Sequence, residues 1–425
     1  MVNAIIRGGN NLTGRVEAPG SKAHTHRTFI ASLLSEGESK ISGALESDDT
    51  EATIRVVEAF GAKVERTGEY TTIISSSGRI ETPKNPLECG ESGATLRFTI
   101  PIAALAPGDT RIYFSGTLRK RPLQPYLESL TQIGVDAILE EEGRVKVRGG
   151  GIKGGKIELR GDISSQFISG ILFATPKAEK DTELILTTPL ESSSYVDLTI
   201  NILEKHGVKI VKVNSRGYWI KAGQRYIPFN HRIPGDFSSA AYILAAGAVT
   251  GSKVRVSNLD LNSLQSDRVI IDILRRAGAE LKILNGEVEV SRGRLSAFDL
   301  DATDCPDLVP VCAALASFAE GETTIRNARR LRFKESDRLA ALRIELGKMG
   351  VKIMEAEDSL TVQGQKRLRG AEINPHNDHR IAMACAVVAL GIKDQTVITN
   401  MECVKKSYPR FFEDIASLGA DVVEQ

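Results

Sequence analysis

Paired cysteines, aromatic clusters and net charge are all scarce in this chain of 425 residues, and each scarcity removes a class of protein. The five cysteines (Cys89, Cys305, Cys312, Cys385, Cys403) form no CxxC pair, which argues against a zinc site and against a disulfide framework. The six histidines show no HExxH or similar ligand spacing. Lys plus Arg, 55, nearly balances Asp plus Glu, 54, so a bulk nucleic-acid binder and a polybasic membrane protein are both disfavoured. Aromatics make up only 5% of the residues and are sparse around the cationic motifs, unlike a base-stacking surface. No apolar run reaches the roughly 18 residues of a membrane span, and the opening stretch MVNAIIRGGNN has no signal-peptide core. The expectation is a cytoplasmic monomer that binds small molecules, uses no metal or organic cofactor, and contacts neither nucleic acid nor membrane.

What is present is a repeat. An amphipathic stretch, a glycine and a short β-type run return as FGAKV, IGVDA, HGVKI, AGAEL, MGVKI and LGADV. Their glycines are Gly61, Gly134, Gly207, Gly278, Gly350 and Gly419, a period of about 70 residues. Glycine suits the left-handed position just past a helix end. Each period holds an apolar helix, a strand, a more charged helix and two short strands, giving βαβαββ-like modules and an α/β architecture. The first residues resemble the end of the second module, so they are expected to complete the sixth. The breaks Pro19-Gly20 and Pro234-Gly235 then mark two crossings. One domain would span 20–233, and the other 1–19 plus 234–425.

Polar motifs gather at the helix entrances. They include PGSKAHTHR (Pro19 to Arg27), CGESGATLR (Cys89 to Arg97), GDISSQF (Gly161 to Phe167), GTLRKRP (Gly116 to Pro122), NPHNDHR (Asn374 to Arg380) and VKKSYP (Val404 to Pro409). Ser, Asp and Asn there are partly N-caps, which accounts for SDDT (Ser47 to Thr50) and QSDR (Gln265 to Arg268). Capping does not account for Lys22, Arg27, Arg121, Lys334, Arg338, Arg380 and Lys406, because cations at helix N-termini oppose the dipole. A set of such choices in one repeat points to small, multiply anionic ligands. RFKESDRL (Arg332 to Leu339) is expected to open a helix after a strand at Thr323 to Arg326, with Lys334 and Arg338 on one helical face.

Taken together and in order, PGSK…R, ESGATLR, RP, SSQF, PD, KESDR, NDHR and the late lysine resemble the 5-enolpyruvylshikimate-3-phosphate synthase family of enolpyruvyl transferases across essentially the whole chain. That resemblance implies an inside-out α/β barrel in each domain and a reaction between shikimate 3-phosphate and phosphoenolpyruvate. It implies that Lys22, Ala23, Arg27, Ser164, Ser165, Gln166, Ser192, Tyr195, Asp307 and Lys334 hold shikimate 3-phosphate. Phosphoenolpyruvate would meet Lys22, Gly93, Arg121, Gln166, Glu335, Arg338, His379, Arg380 and Lys406. Lys22, Asp307 and Glu335 would be catalytic. Ala23 stands where the family usually has Ser, Glu91 where Asn is frequent, and Arg330 where Asn is frequent. A similar family uses UDP-N-acetylglucosamine as acceptor, but it carries a cysteine in the loop ahead of the RP arginine, and Gly116 to Pro122 has none. A two-domain clamp that binds polyanions without chemistry is the remaining alternative, and the near-zero net charge counts against it.

Overall fold

The computed structural model describes residues 2–68, 71–214, 216–291 and 293–425. It divides into two compact units, Gly20–Ile233 and Met1–Pro19 with Pro234–Gln425.

Six four-stranded sheets carry one plan. In each, an edge strand runs parallel to a central strand, and the module's last two strands complete the sheet antiparallel, as in Leu87–Glu88, Thr110–Tyr113, Arg144–Val147 and Ala137–Glu141. Two modules take the edge strand from a distant part of their unit. His231–Arg232 pairs with Ile41 and Ser42, and Gly14–Glu17 pairs with Val254–Ser257. Ala4–Arg7 lies between Gln395–Ile398 and Asp421–Glu424, which completes the sixth module. YTTIIS, from Tyr70, reads in the sequence as one of the two strands that close the first module; the strand observed is Thr71–Ser77, and Tyr70 lies outside the described residues.

The apolar helices form the centres of the units. In Phe237–Thr250 every residue from Phe237 to Val249 is buried, and Ser165–Ala174 and His379–Leu390 are buried almost throughout. Each unit has one continuous core. No sheet pairs with another among the described strands, so helices inside and separate sheets outside replace a closed ring of strands. The six repeat glycines all adopt positive φ, from 78° to 104°. Each ends the second helix of its module, with the residue after it bonding back across the turn, as Val208 N–H does to the Leu203 carbonyl at 2.9 Å. The repeat is therefore a helix-stop signal read six times.

Candidate active site

In the unit Gly20–Ile233, Lys22 opens the helix Lys22–Leu34 behind its cap, Ser21. Its Nζ lies 2.9 Å from Asp49 Oδ2. Asp49 is in the first turn of Asp48–Ala59, which a Ser47–Thr50 capping box starts. SDDT is thus a cap, as expected, and also supplies the ion-pair partner of Lys22. Thr53 Oγ1 is 2.7 Å from both His26 Nδ1 and Thr95 Oγ1, and Thr95 donates to the Asp49 carbonyl at 3.3 Å. This chain of small polar groups ties three helix starts together.

Gly93 opens the next buried helix, Gly93–Ala103. A Cβ on Gly93 would lie 3.2 Å from Arg97 Nη1, 3.4 Å from Arg121 Nη1 and 3.6 Å from Gln166 Oε1. The missing side chain lets three polar groups converge. Arg97 Nη1 donates to Gln166 Oε1 at 2.5 Å, and the guanidinium lies over the Phe167 ring. Its backbone is fixed by Tyr126, whose hydroxyl donates to the Arg97 carbonyl at 3.1 Å. A Cβ on Gly170 would sit 2.6 Å from that carbonyl, so helix Ser165–Ala174 approaches closely only because Gly170 lacks one.

Arg27, the sixth residue of its helix, is fully buried between Phe98 and Tyr195. Its Nε donates to Thr199 Oγ1 (2.8 Å), Nη1 to the Ala23 carbonyl (2.9 Å) and Nη2 to Ser169 Oγ (3.4 Å). Burial draws its pKa down to about 10, with Tyr195 opposing, so it stays charged at neutral pH. Ser164 caps Ser165–Ala174, accepting from the Gln166 N–H. Ser192 precedes Ser193–Lys205 in the left-handed region, φ 54°, an uncommon conformation for serine.

The other unit holds a denser ionic lattice. Arg338, with 1% of its side chain exposed, reaches Asp307 Oδ1 through Nη1 (2.9 Å), Glu335 Oε2 through Nη2 (2.6 Å) and Asp378 Oδ2 through Nε (2.8 Å). Arg380 Nη2 lies 3.4 Å from Asp307 Oδ2, and Lys334 Nζ 4.0 Å from Asp307 Oδ1. Asp378 caps His379–Leu390 and also accepts from Ser336 Oγ at 3.0 Å. His379 is buried, with Nδ1 3.9 Å from Asp378 Oδ1. Lys406 Nζ donates to the Asn377 carbonyl at 2.9 Å. Burial works against ionisation of Asp307, but Arg380, Lys334 and Arg338 outweigh it and hold this carboxyl well below the usual range. Burial also pulls Lys334 down to about 8, against the attraction of Asp307.

Two expectations need correction. Lys334 and Glu335 are not in a helical first turn. A 3₁₀ turn, Arg329–Phe333, precedes them, and the helix begins at Arg338 because Asp337 takes the cap, accepting from the Ala340 N–H at 3.1 Å. Lys334 and Arg338 therefore share Asp307 rather than a helix face. Likewise Arg121 and Lys406 are not at α-helix starts. They stand at the ends of the 3₁₀ turns Gly116–Lys120 and Met401–Lys406, where unpaired carbonyls favour a cation. Arg27 is not at a helix start either, being in the second turn of Lys22–Leu34, whereas Lys22, Arg338 and Arg380 are at helix starts, each facing a carboxylate that offsets the dipole.

Asp49, Arg97 and Asp378, which join these clusters, lie in SDDT, ESGATLR and NDHR and carry no role in the sequence reading. Arg330, at the variant position, donates to the Thr303 carbonyl at 2.6 Å. Glu91 fills the space beside Gly116, where a Cβ would fall 1.5 Å from its Oε1. Among the described residues, no group of three or more His, Cys, Asp or Glu is placed to hold a metal ion, and no helix is long and apolar enough to cross a membrane.

These clusters can be set beside known proteins. The model of the family described as EPSP synthase (3-phosphoshikimate 1-carboxyvinyltransferase) matches residues 6–415. A protein named 3-phosphoshikimate 1-carboxyvinyltransferase from Methanocaldococcus jannaschii is 39% identical, over 98% of each chain. One of the same name from Clostridium perfringens is 42% identical, over 96% of this chain and 97% of its own. The solved EPSP synthase of Acinetobacter baumannii superposes with a TM-score of 0.84 at 27% identity, covering 100% of both chains. By extent of sequence match and by fold, this chain belongs to the EPSP synthase (3-phosphoshikimate 1-carboxyvinyltransferase) family.

Proposed function

We propose that the chain transfers the enolpyruvyl group of phosphoenolpyruvate to the 5-hydroxyl of shikimate 3-phosphate and releases phosphate, and that the two polar clusters divide this work. Family membership supports the reaction. In the addition step, the hydroxyl oxygen bonds to C2 of phosphoenolpyruvate, its proton leaves to a base, and the methylene carbon takes up a proton. In the elimination step, the new methyl group loses a proton, the C2–O bond to phosphate breaks, and the double bond returns. The chemistry needs a base, an acid and a fixed cationic surround for phosphate and carboxylate groups.

Shikimate 3-phosphate is assigned to Lys22, Ala23, Arg27, Ser164, Ser165, Gln166, Ser192, Tyr195, Asp307 and Lys334. The left-handed Ser192 supports its place in this set, since such conformations persist where function holds them. Phosphoenolpyruvate is assigned to Lys22, Gly93, Arg121, Gln166, Glu335, Arg338, His379, Arg380 and Lys406. Arg97 positions Gln166 through their hydrogen bond. Lys22 and Glu335 serve proton transfer to and from carbon and the leaving phosphate. We assign the enzyme to the cytoplasm, as a monomer that needs no metal; five buried free thiols suit a reducing compartment.

One observation carries the role of Asp307, namely its sharing of Arg338, Arg380 and Lys334. A carboxylate so stabilised is a weak base. The substrates' anionic oxygens compete for the same three cations, and each one drawn away raises the basicity of Asp307. The base is therefore strengthened by occupancy of the site.

The test is phosphate release from phosphoenolpyruvate with shikimate 3-phosphate, with UDP-N-acetylglucosamine, or with no acceptor. Release only with shikimate 3-phosphate is expected. Release with UDP-N-acetylglucosamine, or none with any acceptor, overturns the reading.

A further inference from the structure

Asp267, a fully buried carboxyl, lies near enough to Asp307 to feel its charge, and the mechanism above leaves it idle. Its motif, QSDR, reads as a helix cap in the sequence. In the structure the 3₁₀ turn Ser266–Val269 has no side-chain cap, and Asp267 is turned inward with no exposed surface. Gln265 instead binds the neighbouring helix start, accepting from the Phe237 N–H (3.0 Å) and donating to the Gly235 carbonyl (2.9 Å). Asp267 Oδ2 is hydrogen-bonded to the Ser238 hydroxyl, and its Oδ1 has no partner among the described residues. Ser238 passes the connection on, because its carbonyl accepts from Arg380 Nη1 at 3.2 Å while Nη2 faces Asp307. The groups around Asp267 are Asp307, Arg380, Asp236 and the thiols of Cys305 and Cys312. Burial pushes both thiols well up, so they are neutral.

We propose that Asp267 is a positioning residue for Arg380: as the neutral acid it fixes Ser238 and the carbonyl that orients the guanidinium, and once ionised it competes with substrate anions for that charge. A buried carboxyl with one unpartnered oxygen, beside an ionised Asp307, is costly to ionise. Burial first, then Asp307, raises its pKa to about 7. Anion affinity should thus be highest below pH 7 and fall as the pH rises through it, and a bound anion should draw a proton onto Asp267. The inference rests on the assignment of Arg380 to phosphoenolpyruvate.

The experiment titrates phosphoenolpyruvate by calorimetry into wild type, Asp267→Asn and Asp267→Ala between pH 6 and 9, with KM and kcat in parallel. The ratio of wild-type to Asn constants cancels the ligand's own titration. Asn, which mimics the neutral acid, should match wild type at pH 6.5 and bind up to about tenfold more tightly at pH 8.5, the effect of roughly one pKa unit of coupling. The change should fall on KM rather than kcat. Ala, which removes the competing charge and the bond to Ser238 together, should bind more weakly than Asn at every pH. A ratio that is constant with pH, or an Asn variant as impaired as Ala, overturns the proposal. Carbon-13 NMR of the carboxyl in ligand-free protein separates this from the functional reading. A midpoint near 7 that vanishes in Asp267→Asn is expected, and a midpoint below about 5 overturns the inference whether or not phosphoenolpyruvate binds.

Discussion

The two units solve the same problem, keeping buried cations charged, in opposite ways. In Gly20–Ile233, Arg27 is held by two hydroxyls and a carbonyl. In the other unit, Arg338 alone meets three carboxylates. Neutral partners leave the charge of a cation available to a ligand. Carboxylate partners neutralise it in advance, and a ligand must displace them. The first arrangement suits a rigid receptor for an anionic substrate. The second suits a site whose acids and bases change strength on occupancy, which is what addition and elimination require.

The contrast is broken most forcefully at its two buried arginines. Arg338→Met leaves three carboxylates without their shared counter-charge and should cost about 3–5 kcal/mol, whereas Arg27→Met leaves neutral groups unpaired and should cost about 1–3 kcal/mol. Hydrogen exchange followed separately in each unit measures both, since a chain of two units need not unfold in one step. Equal costs would remove the distinction.

Acid should separate the units next. Burial lowers His24 and His231 to about 3 and His206 to about 4, and pulls His26 well below its usual 6.5. Below pH 6.5 the unfolded chain binds more protons at these sites than the native unit, so Gly20–Ile233 loses stability as the pH falls toward about 4. The His206 Nε2–His231 Nε2 hydrogen bond, 2.9 Å, needs at least one neutral ring and fails when both are protonated. Asp267 has the opposite sign. Its raised pKa adds stability to the other unit as the pH falls from about 7 toward the usual carboxyl range. The sole tryptophan, Trp219, lies in the strand Gly217–Ile220 and reports on the acid-sensitive unit. Its fluorescence should change before backbone amides of 234–425 lose protection, and the reverse order would contradict the account.

The smallest effect sharpens the comparison within one loop. Gly116 has φ 58°, and a Cβ there would meet Glu91. Gly116→Ala should cost about 1–2 kcal/mol from strain and contact together, and should raise KM for phosphoenolpyruvate by moving Arg121. Adding Glu91→Ala should recover the contact part only. Full recovery would show that the backbone conformation contributes nothing.

The repeat was legible in the sequence because a helix that ends in a left-handed turn admits little besides glycine, so Gly61 and its five counterparts recur at the module length. The buried helices were legible because sequences such as FSSAAYILAAGAVT leave no polar face. Partners across modules were not. Lys22 meets Asp49 and Arg338 meets Asp378 only through packing of separate helices, and no local rule pairs residues so far apart in the chain. The helix of KESDR starts later than the sequence suggests because Asp337 takes the cap while the hydroxyl of Ser336, an equally good capping residue, donates to Asp378. QSDR reads as a cap because serine and aspartate at a helix start are ordinary caps, and nothing local marks an aspartate that turns inward.

The most direct test of the central claim, that Asp307 is a base held by the cations its substrates need, is one variant measured two ways. Asp307→Asn removes the competing charge and the base together. Phosphoenolpyruvate should bind as tightly as to wild type or more tightly, by calorimetry, while kcat falls at least about 10²-fold. Weakened phosphoenolpyruvate binding with kcat near the wild-type value would contradict the account.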